Sequence, residues 1–135
     1  SAKEIEEFIN NKKKNMYVFF TTGTLEYLSR GGRLTSIQSV VGNLLNIKPI
    51  IELVDGELKL LEKIRGKNKA ISKILSFINK AVKKISICHI LNIEEAVSLK
   101  AILKERYPNA TITIDDVGPV VGSHLGEKTI GDCFY

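Results

Sequence analysis

Asp55-Gly56 stands between two short apolar-rich runs, residues 50–54 and 58–64. An Asp-Gly pair readily supplies the two positive-φ positions of a two-residue hairpin turn, so 50–64 is expected to be a β-hairpin. A hairpin is antiparallel. Whatever else the chain builds, its sheet cannot be wholly parallel.

Around the hairpin, helical and strand periodicities alternate. Ile5, Phe8 and Ile9 fall at helical spacing within 2–11, and 16–20 reads as a strand. Thr24 is a candidate N-cap for a short helix carrying Leu25 and Leu28, which Gly31-Gly32 should end. Thr35 or Ser36 can cap another, with Ile37, Val41, Leu44 and Leu45 on one face, closing before Lys48-Pro49. Downstream, Ile71, Ile74, Leu75 and Ile78 mark a helix over 68–82, and 85–90 is β-rich. Asn92 should cap a helix over 93–107 that Pro108 stops, followed by a strand over 111–117. Residues 118–124 read as a turn-rich loop and 133–135 as a last strand. The expected fold is α/β: a mixed β-sheet with an antiparallel hairpin, packed with helices on one or both faces, as a single domain over 1–135.

Composition narrows the function classes. The net charge of +5 is mild, with its basic excess in 12–14, 65–73 and 80–84. With few aromatics and no tryptophan to interleave these runs, a nucleic-acid partner is not expected. No apolar run approaches the ~18 residues of a membrane span, so stable membrane insertion is not expected either. Two cysteines without repeated spacing or a leader fit a reducing, cytoplasmic setting. Ser1-Ala2 before a charged helix suggests a piece of a longer chain. Cys88-His89 is a poor metal or nucleophile site, because neighbours on a strand face opposite ways. No catalytic, metal or cofactor pattern is found, so the chain is not expected to be an enzyme.

Three separated stretches carry more. The first runs Thr24-Leu25-Glu26-Tyr27-Leu28-Ser29-Arg30-Gly31-Gly32-Arg33-Leu34. The second is Gly42-Asn43-Leu44-Leu45-Asn46-Ile47-Lys48-Pro49-Ile50-Ile51, leading into Asp55-Gly56. The third is Gly118-Pro119-Val120-Val121-Gly122-Ser123-His124. In this order and spacing the set resembles the carboxy-terminal lobe of the DegV family of bacterial fatty-acid-binding proteins.

The resemblance implies a two-domain carrier whose amino-terminal lobe is absent from this chain. The lobes would enclose a long-chain fatty acid, present its carboxylate to a fatty acid kinase and carry the acyl phosphate. It assigns Arg33 and His124 to the head group. An arginine fork and an imidazole both suit an anion, and Gly122 and Gly126 would let backbone amides approach it. Ile37, Val41 and Leu44 could line the acyl tunnel, and Arg65 and Lys67 a partner contact. Two departures stand out. His124-Leu125-Gly126-Glu127-Lys128 replaces the usual His-x-Gly-Pro-Gly, and Lys67 replaces the second arginine of Arg-x-Arg. The competing expectation is a regulatory interaction domain with a vestigial lipid pocket, docking an acidic protein.

Overall fold

The computed structural model describes residues 1–32 and 46–135. Helix α1 (Ala2–Lys13) starts with a capping box between Ser1 and Glu4 and buries none of its side chains. Strand β1 (Tyr17–Thr21) leads to α2 (Glu26–Arg30), where the Thr24 hydroxyl accepts from the Glu26 amide at 3.2 Å. Gly31 and Gly32 end this helix, Gly32 at φ +68°. The helix expected after Thr35 or Ser36 lies outside the described residues.

Strands β2 (Ile47–Val54) and β3 (Glu57–Arg65) form the hairpin, and both turn residues have positive φ, Asp55 at 52° and Gly56 at 80°. Helix α3 (Lys67–Ser76), strand β4 (Lys84–Ile90), helix α4 (Ile93–Arg106) and strand β5 (Thr111–Asp116) follow. The chain then makes α5 (Pro119–Leu125) and β6 (Thr129–Phe134).

Several boundaries differ from expectation, and β2 starts at Ile47 rather than at 50. The segment 118–124 is a helix, not a loop: Pro119 takes the first helical position, where its missing N–H leaves no bond unmade. The helix expected over 68–82 stops at Ser76, while Ile78 and Val82 reach the core from the irregular chain beyond it. The last strand starts at Thr129, four residues earlier than expected.

Among the described residues six strands form one sheet in the order β3-β2-β1-β6-β4-β5, with β4 and β5 parallel and every other pair antiparallel. Helices α3 and α4 cover one face. There Ala70, Ile74, Leu75, Ala96, Leu99 and Leu103 meet Phe19, Ile50, Ile85, Ile87, Ile130 and Phe134 from the strands. The other face has a smaller core, in which Leu28 of α2 and Leu125 of α5 pack with Phe20 and Ile51. Short helices cannot cover so much sheet. Among the described residues, α2 and α5 leave part of this second face uncovered.

Candidate functional site

Alternation along the strands decides what the open face presents. Phe19 points to the α3/α4 core, so Val18 and Phe20 point away from it; Ile87 does likewise, leaving Cys88 on the open side. In β6, Ile130 and Phe134 are in the core and Gly131 faces the opening. These residues and Leu58 of β3 floor a groove of about 810 Å³, with Val121, His124 and Leu125 of α5 as one wall and Gly32 at its margin. That volume lies within the roughly 300–1,000 Å³ of small-molecule sites.

Gly131 lines the floor and pairs with Phe20 on one side and Cys88 on the other, and a Cβ there would fall 2.4 Å from the Phe20 Cβ. The thiols nearby stay uncharged at neutral pH. Burial pushes Cys88 up, and pushes Cys133 to about 11. The described groove therefore suits an apolar ligand.

The polar feature of the wall is His124, near the end of α5. Its Nδ1 lies 2.6 Å from where a Cβ on Gly31 would stand, so the imidazole packs directly on the glycine that closes α2. Tyr27 packs as closely on Gly126, where an added Cβ would fall 2.2 Å from the ring, and Gly126 also has φ +80°. Glycine at these two positions lets α2 and α5 approach, which brings Gly32 to the same groove as His124.

The amides of Gly122 and Gly126 donate within α5, to Gly118 at 2.9 Å and to Gly122 at 2.8 Å. Arg33, Ile37, Val41 and Leu44 lie outside the described residues, although Arg33 directly follows Gly32. Arg65 ends β3 and Lys67 opens α3, both exposed and apart from the groove, with Lys67 Nζ 3.0 Å from Glu95. His89 faces away from Cys88, as expected; its Nε2 is 3.3 Å from Asp116 and its Nδ1 accepts from the Asn92 amide.

The sequence reading missed the groove floor, because Val18, Phe20 and Leu58 look like ordinary core. The available signal was that β1 and β2 are apolar at both odd and even positions, so both of their faces need cover or a ligand.

A family model described as "Uncharacterised protein, DegV family" matches residues 1–135. This chain belongs to the DegV family. Protein DegV of Bacillus subtilis is 35% identical to it over 137 residues, covering 98% of this chain and 47% of that relative. This DegV chain thus spans about half the length of the curated relatives it matches. Among solved structures it is similar to the crystal structure of DegV, a fatty acid binding protein from Bacillus subtilis, with a TM-score of 0.84 and 33% identity over 99% of this chain and 49% of that one. It is also similar to a DegV family protein from Thermus thermophilus whose structure is described as fatty acid binding, with a TM-score of 0.81 and 29% identity over all of this chain and 50% of that one.

Proposed function

We propose that this DegV chain is a lipid-binding module, the carboxy-terminal lobe of a two-lobe carrier that encloses a long-chain fatty acid. The observation that carries this reading is the apolar groove with His124 in its wall and Gly32, the neighbour of Arg33, at its margin. The acyl chain lies over Val18, Phe20 and Gly131, and Ile37, Val41 and Leu44 extend its lining. The carboxylate meets His124 and Arg33, while Gly122 within α5 and Gly126 at its end permit close approach. A second lobe supplies the remaining walls, in keeping with relatives about twice this length.

In this reading the bound acid is presented to a fatty acid kinase in the bacterial cytoplasm, and the module then carries the acyl phosphate. The exposed cations Arg65 and Lys67 contribute to docking that partner. The chain itself performs no chemistry.

Affinity tests the division into lobes. A chain of roughly 14 methylenes gains about 11 kcal/mol when fully buried, and one lobe offers about half of that. Association costs on the order of 4–15 kcal/mol. Calorimetry of palmitate with this chain alone should therefore give weak binding, whereas the two-lobed protein should retain fatty acid detectable by mass spectrometry after purification without added lipid. Nanomolar binding by the chain alone would overturn the half-site reading. Absence of lipid from the two-lobed protein across several expression hosts would overturn the lipid reading and favour a docking domain.

His124→Ala tests the head group. Losing a hydrogen bond to a charged carboxylate costs about 1.5–3 kcal/mol, a roughly 10- to 150-fold drop in affinity for the acid. A fatty alcohol of equal length should lose much less. The comparison is made in the two-lobed protein at fixed pH, and equal losses for both ligands would mean that His124 only supports α5.

A further inference from the structure

On the other side of β6 lies a smaller, polar cavity of about 190 Å³ that shares no residue with the groove. Thr21 and Thr22, at the end of β1, form part of its wall. They are 2% and 1% exposed, and neither hydroxyl has a hydrogen-bond partner among the described residues. Buried hydroxyls are nearly always satisfied. Two adjacent exceptions beside one cavity point to an absent acceptor.

The charges around the cavity specify that acceptor. Lys48, Lys67 and Lys128 line it, against the single carboxylate of Glu95. Lys48 Nζ donates to the Gly23 carbonyl at 2.7 Å and Lys67 Nζ lies 3.0 Å from Glu95, yet an ammonium has three protons and each keeps capacity to donate. Lys67 opens α3 and Asn92 is the N-cap of α4, so the positive ends of two helices of 10 and 14 residues border the same space. Donors thus come from several directions around a volume too small for an acyl chain. A tetrahedral anion, with oxygens on every side, meets them better than a planar carboxylate does.

We propose that this cavity is a binding site for a phosphate-type oxyanion, free or as the end of a phosphate monoester, held by Lys48, Lys67 and Lys128 with the Thr21 and Thr22 hydroxyls donating to it. The site is independent of the lipid groove and does not rest on the lipid reading.

The test titrates inorganic phosphate, and separately methyl phosphate, into this chain at constant ionic strength, following backbone amide NMR shifts and the thermal midpoint. Saturable shifts at residues 21–23, 92–95 and 128 are expected, with a midpoint that rises with phosphate and not with chloride. Thr21→Val and Thr22→Val keep the side-chain shape and should weaken phosphate binding about tenfold. In phosphate-free buffer they should leave the midpoint unchanged or higher. Lys128→Gln, at an exposed position, should weaken binding similarly and covers the case of a threonine variant that fails to fold. Methyl phosphate binding as well as phosphate assigns a monoester end; its failure assigns the free ion. Shifts that do not saturate, that chloride reproduces, or that persist unchanged in folded variants overturn the proposal.

Discussion

Gly131→Ala should destabilise the fold by about 3 kcal/mol or more, at or beyond the upper end of ordinary overpacking. A Cβ at this position would fall 2.3 Å from the Phe19 carbonyl oxygen and 2.4 Å from the Phe20 Cβ, distances that real Cβ atoms do not reach. The obstacle includes backbone, which cannot swing aside as a long side chain would. Nor can β6 retreat, because it is paired with β1 on one edge and β4 on the other. Urea denaturation measures the effect as a lowered midpoint. A loss below about 1 kcal/mol would mean that β1 and β6 shift apart easily enough to admit a Cβ.

Asp132→Val, one residue further on, should act in the opposite sense. Asp132 points into the α3/α4 core opposite Phe19 and Ile87 at 1% exposure, and neither carboxylate oxygen has a hydrogen-bond partner among the described residues. Burial raises its pKa well above the ordinary 3.8, and its own backbone amide offsets this only in part. Replacing an unsatisfied buried polar group with an apolar one of similar shape should stabilise the protein by about 1–3 kcal/mol near neutral pH.

The sign of the pH dependence follows from linkage. With the folded-state pKa above the unfolded value, the Asp132 contribution to stability is complete below about pH 4. It then falls as pH rises towards the folded-state value, because the unfolded chain releases its proton first. Denaturation midpoints at pH 5 and pH 8 should therefore differ more in the wild type than in Asp132→Val. Equal pH slopes in the two proteins would show that Asp132 finds a partner and stays ionised.

Local chemistry made much of the fold legible. The Asp55-Gly56 turn fixed the hairpin, and Asn92 with Pro108 bracketed α4 to within a residue, because turn and cap signals act over a few neighbours. The losses came where local and tertiary preferences disagree. Gly118, Pro119 and Gly122 look like breakers, yet Pro119 is well suited to a helix start and α5 is held by packing on α2. Gly131 and Asp132 are poor strand formers, and only pairing on both sides keeps them extended in β6. For the candidate site, motif order pointed to His124, which does stand in the groove wall. The groove floor was hidden, since a strand with apolar residues on both faces does not say which face a helix will cover.

The place of β6 has a consequence for biosynthesis. It joins β3-β2-β1 to β4-β5, and among the described strands it is made after the other five. Until residues 129–134 have been translated, β1 and β4 each keep an unpaired edge, the state in which strands recruit wrong partners. Pairing Tyr17 with Phe134 closes a loop of more than a hundred residues, a long-range step of the kind that slows folding. The nascent chain therefore holds two unfinished half-sheets until β6 emerges and locks them into one.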